Sequence, residues 1–254
     1  VTLPLFLAGP AATASPGSSL ALTGEEARHA AQVRRIRTGE EIYISDGAGT
    51  RATCTVTDIS KREVLTRVLE VERIAAPSCP ITLVQALAKG GRDEQAVETA
   101  TEFGAWDFLP WQSERTIVRW RGKEEKGVAR WQAVARAAAK QSRRAYVPCV
   151  HEPVTTNQLT AQVSAAVETG ACVLVCHESA SLPLTQVAAV ASAQAVWIII
   201  GPEGGISSGE LAALEKAGGV PVLLAPHVLR AATAGPYALA TVHALRATAR
   251  YDRD

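Results

Sequence analysis

The sequence predicts an α/β protein in which a largely parallel sheet, over residues 76–254, follows a small β-rich, barrel-like domain of residues 1–75. Three observations predict it. From Ile81 onward, strand-like apolar runs alternate with helical stretches, the pattern of a parallel sheet whose crossovers are helices. The first 75 residues instead carry short alternating runs cut by turn residues, with one helix. Between the two patterns, Ala75-Ala76-Pro77-Ser78-Cys79-Pro80 is the only Pro/Ser/Ala-rich linker candidate.

In the first domain, Thr23-Gly24-Glu25-Glu26 fits a capping box opening a helix through about Arg35. The runs Glu41–Ser45 and Ala52–Val56 flank the turn Asp46-Gly47-Ala48-Gly49, a hairpin signal. Ser60-Lys61-Arg62-Glu63 then turns into Val64–Val68. In the second domain, strands are expected at Ile81–Leu87, Trp106–Pro110, Cys172–His177, Ala195–Ile200 and Val220–Leu224. Helices are expected near Glu94–Phe103, Lys126–Arg143, Asn157–Glu168, Leu184–Ala191 and Ser208–Ala217, with a last one over roughly Pro236–Tyr251.

Composition excludes several classes. At 47% hydrophobic and 20% charged residues the chain is too apolar for disorder. No apolar run approaches the roughly 20 residues of a membrane span, and the start lacks a basic region and a cleavage site, so a cytoplasmic protein is expected. The five cysteines form no C-x-x-C pair and read as core residues; the five histidines have no metal-ligand spacing, and no metal is expected. The five tryptophans (Trp106, Trp111, Trp120, Trp131 and Trp197) are expected in the core.

The net charge of +1 hides an asymmetry. Between Ser113 and Tyr146 ten basic residues face three acidic ones, whereas between Val150 and His227 Lys216 is the one base against six acids. A helix face carrying Arg136, Lys140, Arg143 and Arg144 at spacings of three and four suits a polyanion, and Arg28, Arg34 and Arg35 offer a second basic patch.

The most informative segment is Ala195–Ile200 running into Gly201-Pro202-Glu203-Gly204-Gly205, with Ser207-x-x-Glu210 capping the next helix. Glycines at a strand end bring backbone N–H and C=O groups within reach of a ligand. The loop is neither a phosphate loop, since no Lys-Ser/Thr follows, nor G-x-G-x-x-G. The segments after two other strands, at His177-Glu178 and at Leu224–Ala234, have similar character, so three strand ends together suit one pocket.

Over nearly its whole length the chain resembles a known family. The motifs that carry the resemblance are Leu87-Ala88-Lys89-Gly90-Gly91-Arg92-Asp93-Glu94, Thr101–Ala105, Ser113-Glu114-Arg115, Gln141-Ser142-Arg143, Val147-Pro148, Gly201–Gly205, and Val228-Leu229-Arg230 with Thr233-Ala234. Their order and spacing are similar to those of the SPOUT-class 16S rRNA (uracil(1498)-N(3))-methyltransferases. The resemblance implies an N-terminal RNA-binding domain of the PUA-like barrel type and a C-terminal SPOUT domain threaded through a trefoil knot. It also implies S-adenosyl-L-methionine (SAM) as methyl donor and a homodimer acting on 16S rRNA, within the assembled small ribosomal subunit.

Carried over residue by residue, the resemblance implies cofactor binding by His177, Glu178, Gly201, Pro202, Glu203, Gly204, Gly205, Leu224, Pro226, Val228, Leu229 and Arg230. It implies RNA or interface contacts for Lys89, Arg92 and Arg115. For methylation at uracil N3, Arg143 or Arg230 is expected near the base, favouring its anion, with Glu203 orienting a loop or accepting a proton. The chain departs from the family pattern at Ala225 and Ala231, where a glycine and a threonine are frequent. Rival readings are another SPOUT RNA methyltransferase, acting on a ribose 2′-hydroxyl or a guanine, and a non-catalytic RNA-binding protein.

Overall fold

The structure is a computed structural model that describes residues 3–60 and 62–251. Lys61, within the turn expected at 60–63, lies outside the described residues, as do Val1, Thr2 and residues 252–254. The chain forms two compact units: Val1–Ala76 joined by Ala139–Val147, and Pro77–Ala138 joined by Pro148–Asp254.

The first unit is built on strands β1 (Leu5–Leu7), β2 (Ser19–Thr23), β3 (Glu41–Ser45), β4 (Thr50–Ile59) and β5 (Glu63–Arg73). They form one curled sheet in the order β1-β3-β4-β5-β2, antiparallel except for the β1–β3 pair. Alternation along β4 buries Ala52, Cys54 and Val56, which meet Phe6, Leu22, Ile42, Ile44 and Val64 in one apolar core. The segment Ala139–Val147 returns to this unit. Val147 donates to the Gly47 carbonyl, Gly49 to that of Ala145, and the Tyr146 hydroxyl to Ile74 at 2.8 Å. Gly49, at φ 107°, is required there, because a Cβ would collide with the Tyr146 hydroxyl. A boundary drawn along the sequence has no way to express such a return.

The N-terminal helix differs from expectation. Helix α1 spans only Gly24–Arg28 and passes into a wider π-type turn at His29–Val33. The expected capping box is absent: Thr23 makes no side-chain cap. Glu26 instead receives Lys140 Nζ at 2.7 and 2.8 Å, and an ion pair attracts its carboxylate more strongly than a neutral backbone N–H does.

The second unit holds strands β6 (Ile81–Ala86), β7 (Asp107–Gln112), β8 (Cys149–Val150), β9 (Val154–Thr155), β10 (Ala171–Cys176), β11 (Ala195–Ile200) and β12 (Val220–Val222). Its helices are α2 (Arg92–Glu102), α3 (Glu124–Gln141, whose last turn enters the first unit), α4 (Thr156–Glu168), α5 (Ala189–Ser192), α6 (Ser208–Lys216) and α7 (Ala231–Tyr251). All strand pairs are parallel, in the order β12-β10-β11-β6-β7-β8, with β9 also on β7. The run of apolar residues in β11 follows from burial on both faces. Ile198 and Ile200 join Leu83, Phe108, Trp131 and Leu239 in one core, while Ile199 joins Val84, Trp111, Leu159 and Leu214 in the other.

The last helix, α7, starts five residues before the expected Pro236, and two other expected helices change. The stretch at Leu184–Ala191 is a single 3₁₀ turn, Leu184–Gln186, followed by the four-residue α5. Its backbone is diverted into pairing with the chain after β12, Leu184 N donating to Leu223 O and Leu223 N to Leu182 O. Helix α3 stops at Gln141, and Arg143 lies beyond it at φ 57°. Trp111, Trp120 and Trp131 are buried as expected, Trp106 and Trp197 only partly. None of the five cysteines is in a disulfide; Cys54, Cys79 and Cys172 are buried as expected, whereas Cys149 is exposed. No helix among the described residues is long and apolar enough to cross a membrane.

Candidate functional site

In a parallel sheet all strands end on one edge. β12, β10 and β11 are neighbours there, so the segments that follow them must meet. They enclose a pocket of about 560 Å³ whose walls are Cys176–Glu178, Ile200–Ile206 and Leu223–Ala231, with Arg92 and Ala234 completing it. That volume suits a small organic ligand. Every one of the twelve residues expected to hold a cofactor lines it.

The glycine loop is shaped by close approach. A Cβ at Gly201 would stand 2.7 Å from Ile206 Cγ1, and one at Gly204 would stand 3.2 Å from Arg115 Cβ. Two arginines hold the loop: Arg92 Nη1 pairs with Glu203 Oε1 at 3.1 Å, and Arg115 Nη1 donates to the Gly204 carbonyl at 3.1 Å. On the next strand end, the Ser179 backbone N–H donates to His177 Nδ1 at 3.2 Å and its hydroxyl lies 2.8 Å away. An N–H can only donate, so Nδ1 is the acceptor and Nε2 the ring's donor. Burial pushes the Cys176 thiol up to about 12, which keeps it protonated. Among the described residues only Arg35 and Arg143 of the non-glycines have positive φ, so Ala225 sits in the wall without backbone strain.

The loop's far end is fixed by a polar hub that sequence reasoning read only as a capping box. Ser207 caps α6 and exchanges bonds with Glu210, as expected. Glu210, buried at 4% exposure, also accepts from the Glu114 N–H at 2.8 Å and the Thr156 hydroxyl at 2.7 Å, while Ser207 Oγ donates to Glu114 at 2.6 Å. One carboxylate thereby joins the start of α6, the start of α4 and the segment that carries Arg115. A buried Glu in a capping box was the available signal; its extra partners come from elements far away in sequence.

The other expected residues disperse. Arg230 and Glu203 line the pocket, whereas Arg143 belongs to the first unit, where its Nε donates to Leu3 O at 3.1 Å. The expected face of Arg136, Lys140, Arg143 and Arg144 is not a helix face, because the helix ends before the last two. Lys140 is spent on Glu26, and burial pulls the half-buried Arg144 down to about 10. Arg136 belongs to the second unit and is exposed. Arg28, Arg34 and Arg35 are exposed in and after α1; Lys89 and Arg115 are exposed in the second unit, and Arg92 lines the pocket beside its loop partner Glu203. Asp107, Cys149 and His151, which have no metal-ligand spacing in the sequence, bring a carboxylate, a thiol and an imidazole within 4.8 Å of one another.

Comparison with known proteins adds an independent line. A family model described as an RNA methyltransferase domain matches residues 75–243, and one described as an RNA methyltransferase PUA domain matches residues 22–69. The chain is 45% identical to the ribosomal RNA small subunit methyltransferase E of Mycobacterium bovis, covering 93% of this chain and 89% of that protein. It is 31% identical to the protein of that name from Bacillus subtilis, over 88% and 89% of the two chains. Among solved structures, the Neisseria gonorrhoeae ribosomal RNA small subunit methyltransferase E bound to S-adenosyl methionine superposes with a TM-score of 0.84. That match is at 26% identity and covers 97% of this chain and 98% of the other.

Proposed function

The chain belongs to the RNA methyltransferase family, and from that premise we propose that it transfers the methyl group of SAM to N3 of a uridine in the 16S rRNA of the small ribosomal subunit. The observation that carries the reading is the single pocket at three adjacent strand ends, lined by all twelve residues expected to bind the cofactor. Residues 1–75 serve as the PUA-like RNA-binding domain, residues 76–254 as the SPOUT methyltransferase domain with its trefoil threading, and the active form is a homodimer.

The pocket residues fit SAM. Leu224, Val228 and Leu229 offer apolar wall for the adenine and the thioether carbons, and the glycine-rich loop Gly201–Gly205 offers backbone polar groups. Glu178 supplies negative charge toward a ligand that carries a sulfonium and an ammonium, and the Nε2–H of His177 supplies a directed donor. When bound, SAM supplies an electrophilic methyl group.

The chain's own work lies at the acceptor. Uracil N3 attacks better as the anion, and the Arg230 guanidinium, within the pocket wall, favours loss of the N3 proton from a base brought against it. The N3–methyl bond forms as the sulfur–methyl bond breaks, and the N3 proton passes to water. Glu203 is already paired with Arg92, so its part is to hold the loop and not to take that proton. Exposed basic residues, Arg28, Arg34, Arg35, Lys89, Arg115 and Arg136, contact RNA phosphates.

The test is methylation of small ribosomal subunits from cells lacking this activity, with labelled SAM and nucleoside analysis of the rRNA. Recovery of 3-methyluridine is expected. SAM binding without that product moves the reading to another RNA target, and loss of both leaves a non-catalytic RNA binder.

A further inference from the structure

We propose that Asp107, Cys149 and His151 form a zinc-binding site on the edge of the parallel sheet, separate from the methyl-transfer pocket. Parallel pairing sets Asp107, the first residue of β7, directly opposite Cys149 in β8. Side chains alternate along an extended chain, so His151, two residues beyond Cys149, returns to the same face. The carboxylate oxygen, the thiol sulfur and a ring nitrogen all lie within 4.8 Å of one another.

The backbone that presents them is held in place. His151 N donates to Phe108 O at 2.9 Å. The Gln132 side chain from α3 clamps the strand from its other side, donating to Pro148 O at 2.9 Å and accepting from Val150 N at 3.0 Å. Fixed ligands bind a metal with little ordering cost. His151 Nε2 and Asp107 Oδ1 stand 3.5 Å apart, an ion pair longer than a strong charge-assisted hydrogen bond, which a cation bound between them would replace. One soft sulfur ligand with one imidazole and one carboxylate is the donor set of a four-coordinate zinc site whose last position is open to water. On coordination the Cys149 thiol releases its proton to solvent; nothing is oxidised or reduced.

Asp107 stands at the start of its strand, whereas the pocket is built where β10, β11 and β12 end, so the two sites occupy opposite edges of the sheet. The metal would fasten the two-residue β8 where the chain re-enters the second unit at Pro148.

The full-length protein, stripped with a chelator, is titrated with Co²⁺ as a spectroscopic stand-in. The expected result is one equivalent bound, with a thiolate-to-metal charge-transfer band and tetrahedral ligand-field bands, both abolished by added Zn²⁺. Cys149→Ser removes the charge-transfer band. His151→Ala and Asp107→Asn each weaken binding by about tenfold or more. All three variants keep methyl transfer and the thermal midpoint of the metal-free protein. Absence of the band in the wild type, or its persistence in Cys149→Ser, overturns the proposal.

Discussion

The strand-end pocket of the second unit and the basic residues of the first unit both stand out as sequence patterns, and folding treats them differently. At the pocket, three motifs separated by many residues converge, because parallel strands deliver their ends to one edge whatever the loops contain. In the basic stretch, Lys140 is taken up by Glu26, Arg143 turns out of the helix to the Leu3 carbonyl, and Arg144 is half-buried. Backbone geometry preserves a pattern; side-chain charge is open to capture by any partner that the tertiary fold brings near. The difference teaches that a glycine motif at a strand end survives folding better than a count of arginines.

Substitutions at four positions probe this contrast. The largest effect is expected from Glu210→Ala, which strands the donors of Glu114, Thr156 and Ser207; a loss of about 3 kcal/mol or more in urea unfolding follows from ~1–3 kcal/mol per orphaned group. Glu210→Gln should recover part of it. Gly201→Ala forces a methyl against Ile206 Cγ1, and overpacking of about 1–3 kcal/mol concentrated in the loop should weaken SAM binding roughly tenfold by calorimetry. Unaltered affinity there would mean the loop does not shape the site.

Lys140→Ala tests the other side of the comparison. It leaves the Glu26 carboxylate, 17% exposed, without its cation, and about 1–3 kcal/mol of stability should go, while the salt dependence of RNA binding stays as in the wild type. A salt slope shallower by ~1 would show that Lys140 contacts phosphate after all.

The smallest effect concerns pH. Burial raises the Asp93 carboxyl above its usual 3.8, so the folded state holds that proton more tightly than the unfolded chain. Its contribution is complete below 3.8 and is lost as pH rises through the raised value. Asp93→Asn should therefore flatten the fall of the unfolding midpoint over that interval.

Much of the fold was legible because it rests on local pattern. β11 was read to the residue, since six consecutive apolar, largely β-branched residues bounded by glycine have few other uses. The Ser207–Glu210 cap was read correctly, whereas the same spelling at Thr23–Glu26 failed, because Glu26 finds a cation 114 residues away. The helix expected at Leu184–Ala191 failed for a similar reason, its backbone having been claimed by Leu223. Of the candidate site, the lining of the pocket was legible and the Arg92 and Arg115 supports of its loop were not, since neither pairing leaves a mark on local sequence.

The sequence by itself determined the two patterns of secondary structure, the double-sided burial of the sheet and the strand ends from which a pocket is built, because side-chain periodicity and glycine placement act over a few residues. The tertiary structure alone decided that β12 lies beside β10, that Ala139–Val147 returns to the first unit, and which charges are spent on one another. It also decided that Asp107, Cys149 and His151 meet. Those outcomes depend on distances between residues remote in the chain, which only the packing of the whole fixes.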